Sequence, residues 1–586
     1  MKQIVFKYDV IPRSFDCIHK SLSSYILFDY FEVYYEFEFM ISRLTSIIVL
    51  LFLSANAQEK IENDIKKIKP KLILGIVVDQ MRYDYLTRFN DRFGEGGFRR
   101  MIKDGFSCNN HQVDYIPTTT APGHASVFTG TTPQNHGIIG NTWYDKTSKQ
   151  KIYCVQDNAV SPIGTSSSAG KMSPIQLKAT TIADQNRLHT QMRGKTISIA
   201  IKDRGAILSG GHTANAAYWF RGKGQGSWIS SSYYITKLPK WVVDFNESNV
   251  IDSYFMNWDT LYEIDSYIAS GNDSTQFERG FKGKEKAVFP YDLLRLKEFN
   301  GQYDIIKHTP YGNSLTVDFA VAAIVGEKLG KDEYTDFLTI SFSSTDYIGH
   351  NFGVNSKEVE DTYLRLDQDI ERLLVTLDKK VGKDQYTVFL TSDHGATQVP
   401  QYLKSVKIPA GYFKEASVHL NIKHYINSLY QNDEIIENIS NNQVFLNYEL
   451  ISNKNLDLEE IQKKIARYLL TLESIDKVYT RTQLENMSYA YGTGLLLQKG
   501  FHQKRSGDVF YTLSPSIIAY SRTGSSHGSG YAYDSRVPLL FYGNGISQGF
   551  TNTKTTVSDI APTISSLLGI SNPNGTTGNI INEIVD

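Results

Sequence analysis

Four short apolar runs, each followed within four residues by a charged side chain, constrain this chain more than any other feature. Residues 72–78 read LILGIVV and stop at Asp79. Residues 195–201 read KTISIAI and run directly into Lys202-Asp203-Arg204. Residues 337–342 read FLTISF and precede Ser343-Ser344-Thr345-Asp346. Residues 386–390 read YTVFL and precede Thr391-Ser392-Asp393-His394-Gly395. Continuous apolar runs of this length are the pattern of strands buried on both faces of a parallel sheet. Such sheets bind ligands beyond the carboxyl ends of their strands. Asp79, Lys202, Arg204, Asp346 and Asp393 are therefore expected on one rim. Residues 537–542 (VPLLFY) read as a fifth strand.

Helical patterns lie between these runs. Across Ser356 to Leu377, Val359, Tyr363, Leu366, Ile370, Leu373 and Leu377 recur at spacings of three and four, which places them on one helix face. That helix links the third and fourth strands as a β-α-β crossover. Residues 557–568 predict a C-terminal helix with Ser558 as its cap. The stretches near 210–310 and 400–510 are rich in Tyr, Asn, Ser and Gly and break the strand-helix rhythm, so they read as insertions or a cap on the sheet. The fold class that follows is α/β, a mostly parallel sheet flanked by helices. At 586 residues, one large domain with insertions fits as well as up to about four ordinary domains.

Composition narrows the function. There are 61 Lys and Arg against 62 Asp and Glu, a formal net charge of −1, so the basic excess of a generic nucleic-acid binder is missing. No apolar run reaches the length of about 20 residues that spans a bilayer. Residues 44–53 (LTSIIVLLFL) follow Arg43 and precede Ala55-Asn56-Ala57. A basic residue, a short apolar core and a small-residue exit make a secretory signal peptide over 40–57. Its product, 58–586, is expected to be periplasmic or secreted as a single domain. Residues 1–39 carry Glu32, Glu36 and Glu38 and suit export poorly. Met40 is the better start, and 1–39 reads as a spurious extension. No Cys stands at the cleavage point, so no lipid anchor is expected. Cys108 and Cys154 remain after cleavage and can pair in an oxidising compartment or stay as two thiols.

The polar residues beyond the strands carry the chemistry. Asp346 and His350 are four apart. Asp393 and His394 are adjacent. Asp79 ends its strand, and His527 lies in the loop Gly524-Ser525-Ser526-His527-Gly528-Ser529-Gly530. Three carboxylates and three imidazoles divide into three ligands for each of two ions. Two such ions can stabilise both the attacking and leaving oxygens of an in-line displacement. In Thr118-Thr119-Thr120-Ala121-Pro122-Gly123-His124, Thr120 can cap a helix with Pro122 in its first turn. A hydroxyl there faces the anion-binding end of the helix. Asn141, in Gly140-Asn141-Thr142, can donate its amide to a phosphoryl oxygen.

In these motifs, which run in order from Asp79 to His527, the chain resembles the alkaline phosphatase superfamily, and more narrowly its monomeric flavobacterial-type periplasmic members with a threonine nucleophile. The resemblance implies an alkaline-phosphatase-like fold and two Zn2+ ions. Asp79, Asp393 and His394 would hold one ion beside Thr120, and Asp346, His350 and His527 the other. It implies Thr120 as nucleophile, with Asn141, Lys202 and Arg204 on the phosphoryl oxygens, and a monomer acting on small phosphate monoesters without nucleic-acid or membrane partners. A matching third, magnesium site is not expected. The Cys-x-Pro-x-Arg segment of the sulfatase branch is absent, since Cys108 is followed by Asn109-Asn110-His111. A nucleotide pyrophosphatase/phosphodiesterase of the same superfamily is the alternative. Lys202 and Arg204 favour a dianionic monoester over a diester with one charge.

Overall fold

The computed structural model describes residues 69–224 and 226–585, with five positions nearer the N-terminus: Met40, Ile41, Leu44, Thr45 and Ile48. Apart from those five, the expected leader 40–57 and extension 1–39 lie outside the described residues.

The strands used below are, in chain order, β1 (Leu72–Val78), β2 (Phe106–Cys108), β3 (Thr142–Asp145), β4 (Gln150–Tyr153), β5 (Pro162–Ile163), β6 (Thr196–Ala200), β7 (Ala216–Arg221) and β8 (Ser227–Ser231). They continue with β9 (Asp336–Phe342), β10 (Tyr386–Thr391), β11 (Ile436–Ser440), β12 (Gln443–Leu446), β13 (Ile475–Thr480), β14 (Val509–Leu513), β15 (Leu539–Gly543) and β16 (Gly549–Thr551). The helices needed are α1 (Thr120–Thr129), α2 (Asp203–Gly210), α3 (Ser344–Phe352), α4 (Lys357–Leu377) and α5 (Ile560–Leu568).

Ten strands form one sheet in the order β16-β2-β15-β10-β1-β9-β6-β7-β8-β5. Its central five, β10-β1-β9-β6-β7, are all parallel. Every residue of β1, β6, β9 and β10 is buried, in keeping with their mainly apolar sequences. The register sets the rim. Val78 pairs with Phe342, Val77 with Thr391, and Ala200 with Ser341. Asp79, Lys202, Ser343 and the Ser392-Asp393 pair thus leave the sheet at one level.

The fifth run, as β15, is antiparallel to β10, with Leu539 opposite Thr391. Its amino end lies where the parallel strands have their carboxyl ends. The loop before it, which carries His527, therefore opens on the same rim. α4 buries the six apolar positions read from the sequence, and the Ser356 side chain caps it by accepting from the Val359 N–H. The C-terminal helix begins later than expected. Residues 557–559 form a 3-10 turn before α5, and the capping box joins Thr556 to Asp559, not Ser558. A threonine outside the turn reaches the N3 amide, whereas the buried Ser558 hydroxyl has no partner.

The stretch from 210 is not all insertion: β7 and β8 extend the main sheet. Within 400–510 and just beyond it, β11, β12, β14 and β13 make a separate four-stranded antiparallel sheet with its own buried core of Ile422, Ile461, Ile465 and Val509. Cys108 and Cys154 are buried, free thiols.

At the start of α4, two carboxyls, Glu358 and Glu278, are packed with little compensation. The Tyr291 hydroxyl donates to Glu358, while the second oxygens of Glu358 and Glu278 have no partner. Burial pushes the Glu358 carboxyl up to about 8, and burial with the neighbouring Glu358 charge pushes Glu278 up to about 10. An acid raised in the folded state binds its proton there over a range where the unfolded chain has lost it. Stability therefore falls as pH rises from about 4.5 to about 8. Glu358→Gln keeps the acceptor for Tyr291 and stays neutral. Its melting temperature should change less than the parent's between pH 5 and pH 8, and an unchanged slope would show that Glu358 is not the group responsible.

Candidate active site

Thr120 opens α1, but it is not the cap. Thr119 holds the extended N-cap conformation, and Thr120 is the first helical residue with its hydroxyl free of capping. The difference matters chemically, because a capping hydroxyl turns its lone pair to a backbone N–H, whereas this one points into the rim. Its oxygen lies 3.4 Å from Lys202 Nζ. The Ala121 N–H at the helix start donates to Asn141 Oδ1 at 2.8 Å, leaving the Asn141 amide nitrogen to donate elsewhere. α1 sits against the β10 exit because position 123 is glycine: a Cβ there would stand 2.4 Å from Asp393 Cβ and 2.7 Å from its carbonyl oxygen.

All six proposed metal ligands converge on this rim. His394 Nε2 lies 3.6 Å from Asp79 Oδ1 and 3.5 Å from Asp393 Oδ2. His350 Nε2 and His527 Nε2 lie 3.2 and 3.5 Å from Asp346 Oδ1. The His394 and His527 rings stack with centroids 3.5 Å apart. Two ligand triplets are drawn tightest, Asp79–Asp393–His394 and Asp346–His394–His527, so His394 stands at the junction of the two half-sites. α3 supplies Asp346 and His350 from one face, four residues apart.

The fit of divalent cations can be tested on atoms left without partners. Asp79 Oδ1, Asp393 Oδ2 and His394 Nε2 are buried and make no hydrogen bond, a costly arrangement unless a cation meets them. The imidazoles are set for it. Nδ1 of His350, His394 and His527 faces the carbonyl oxygens of Ser525, Gly395 and Thr118 at 2.7, 2.9 and 2.8 Å. A carbonyl only accepts, so each Nδ1 carries the proton and each Nε2 presents its lone pair. The donor set therefore fits divalent cations.

Electrostatics agree. Burial, with the charges of Asp393 and Asp346, holds the Asp79 carboxyl well above its ordinary range against the pull of Lys202. Burial would raise Asp346 too, but His350 and Lys202 outweigh it and hold it well below. Burial pushes His394 down to about 3, so it is neutral. Lys202 spans the half-sites, with Nζ 2.6 Å from Asp79 Oδ2 and 2.5 Å from Asp346 Oδ2, and these carboxylates outweigh its burial and raise its pKa. Arg204 follows two residues later, in the first turn of α2. Its guanidinium lies 3.4 Å from the Tyr153 hydroxyl, which donates to Asp203, and its Nε is buried without a partner.

Sequence reasoning missed His124 and Tyr153. His124, one turn after Thr120, has Nδ1 2.9 Å from the Thr120 carbonyl and 3.3 Å from Asp393 Oδ2, and Nε2 2.8 Å from Ser341 Oγ. Its place four residues after Thr120 was the available signal. Tyr153 pairs with Thr142 across the β3–β4 hairpin and has no local signal.

A cleft of about 410 Å³ opens outside this cluster, bounded by Thr119, Asn141 and His527 on one side and by Asn442, Tyr511 and Thr512 of the four-stranded sheet on the other. The β11–β12 hairpin turns through Asn441 and Asn442, both with positive φ, the two-residue turn that asparagine tolerates. At its tip Asn441 Nδ2 donates to the Thr142 carbonyl at 2.6 Å, next to Asn141.

Comparison with known proteins places this architecture. Residues 73–534 match the family model described as type I phosphodiesterase / nucleotide pyrophosphatase. The chain is 43% identical to the alkaline phosphatase PhoV of Synechococcus elongatus over 92% of this chain and 98% of that one. It is 42% identical to the alkaline phosphatase PafA of Elizabethkingia meningoseptica over 88% and 95%. The crystal structure of PafA superposes with a TM-score of 0.85, covering 88% of this chain and 99% of that one. A Myroides odoratus protein named calcium-transporting ATPase is also 42% identical, over 93% and 98%. Among the described residues here, no helix is long and apolar enough to cross a membrane.

Proposed function

We propose, for a chain that belongs to the type I phosphodiesterase / nucleotide pyrophosphatase family within the alkaline phosphatase superfamily, that it is a phosphomonoesterase working through Thr120. One observation carries the choice of monoester: Lys202 Nζ stands 3.4 Å from the Thr120 hydroxyl at the carboxyl end of β6, and a second cation, Arg204, follows two residues later at the start of α2 with its buried Nε unpartnered. A monoester dianion has three non-bridging oxygens for such groups. A diester has one charge and a second substituent where they sit.

In this reading Asp79, Asp393 and His394 hold one divalent ion and Asp346, His350 and His527 the other, with zinc the expected identity from the nitrogen and oxygen donors. Bound there, the ions supply Lewis acidity for the Thr120 hydroxyl and for the leaving oxygen. The Thr120 oxygen attacks phosphorus in line, the P–O bond to the alcohol breaks, and a phospho-threonine forms. Water then attacks the same phosphorus, returns the threonine hydroxyl and releases inorganic phosphate. Asn141 donates its free amide, and Lys202 and Arg204 their N–H groups, to the phosphoryl oxygens. Tyr153 and Asp203 hold the arginine. The segment Arg43 to Ala57 supports export to the periplasm or beyond.

The family description keeps a nucleotide pyrophosphatase/phosphodiesterase as the second reading. Rates on a phosphate monoester and its methyl diester separate the two. The monoester should turn over faster, and faster diester turnover refutes the proposal. Replacing Lys202 and Arg204 together with alanine should cost the monoester about 10²–10³-fold, with a much smaller loss on the diester.

A further inference from the structure

Gln80 is the residue that the reaction scheme leaves unused and the backbone singles out. It follows Asp79 directly, is 3% exposed, and holds φ at +65°, a left-handed conformation that non-glycine residues seldom keep without cause. That twist sends its two donors in different directions. The backbone N–H donates to Asp393 Oδ1 at 3.2 Å, and the side-chain Nε2 donates to Asp346 Oδ1 at 2.7 Å. One residue thereby touches a carboxylate from each half-site. Asp346 Oδ1 is also the oxygen nearest both Nε2 atoms of His350 and His527.

The opposite wall is shaped to admit this side chain. Gly349 lies on α3 between the ligands Asp346 and His350, and a Cβ there would stand 1.9 Å from Gln80 Oε1. The next residue is pinned too: the Met81 N–H donates to Ser392 Oγ at 2.9 Å. The glycine in Asp346-Tyr347-Ile348-Gly349-His350 is thus explained by the room Gln80 needs.

We infer that Gln80 is a positioning residue whose side-chain amide fixes the Asp346 carboxylate for the ion held with His350 and His527, while its backbone amide steadies Asp393 in the other half-site. The inference rests on the two-metal reading above.

Two variants separate the parts of the residue. Gln80→Gly removes the side chain but suits the positive φ and keeps the N–H to Asp393. Gly349→Ala leaves Gln80 in sequence, pushes its amide away, and improves the propensity of α3. The measurement is calorimetric titration of the metal-stripped full chain with Zn2+. The parent should take up two ions. Each variant should bind one of them about 10–100-fold more weakly and the other within about twofold of the parent, as expected when an outer-shell donor is lost. The weakened ion should be the one also lost in His350→Ala. Thermal unfolding of metal-stripped Gly349→Ala should start no lower than the parent's. Unchanged affinity for both ions overturns the proposal, as does equal weakening of both. A parent that binds no divalent ion overturns the two-metal reading and this inference with it.

Discussion

Thr120→Ala should abolish turnover of phosphate monoesters, with a loss on the order of 10⁴-fold or more, because in the proposed mechanism the Thr120 oxygen forms the ester that precedes hydrolysis. The structure says why the loss would be chemical. The Thr120 hydroxyl caps nothing, and Lys202 is its polar neighbour at 3.4 Å. Alanine is a good helix former at the first position of α1, and the deleted methyl costs about 1 kcal/mol of burial. The variant should melt close to the parent, bind zinc normally and yield no acid-stable phospho-enzyme when quenched during turnover. Activity within about tenfold of the parent would remove Thr120 from the mechanism.

Chelation should be as damaging. With the ions removed, the site holds three close carboxylates, and Lys202 alone spans Asp79 and Asp346. Turnover should fall by at least about 10³-fold, since the charge on the attacking and leaving oxygens would lose its stabilisation. Ions bound to the folded state and not to the unfolded chain also stabilise it, by about 4 kcal/mol at a thousand times the dissociation constant. The metal-free protein should therefore melt at a lower temperature, and added Zn2+ should restore both properties. Full activity in protein shown by elemental analysis to be metal-free would end the two-ion proposal.

Much of this site is legible in the sequence, for a physical reason. A strand buried on both faces is mainly apolar, with only a few hydrogen-bonded polar side chains, so the charged residue that ends the run is conspicuous, and the parallel register brings those residues to one level. Asp79, Lys202, Asp346 and Asp393 were visible on that account. His527 was visible as a residue, but its arrival depends on β15 running antiparallel, which the apolar run VPLLFY does not encode. Thr120 was found one residue away from its true helical role, because three threonines in a row offer equivalent caps. Gln80 and Gly349 carry no periodic or compositional mark. Their meaning lies in a backbone twist and in a gap between two elements more than 250 positions apart in the chain. The sequence does not mark where the sheet gives way to an insertion after residue 210, because β7 and β8 are short and rich in aromatic and hydroxyl residues and so resemble loop sequence.

The three imidazoles lean on the oxygens of Ser525, Gly395 and Thr118, all of which belong to the main chain. A point mutation can change what stands at those positions without deleting the group that orients the ring. Their aim is thus buffered against genetic drift in a way that the amide of Asn141 is not, and a lineage of such proteins can explore new surfaces around the cleft while these rings hold their heading.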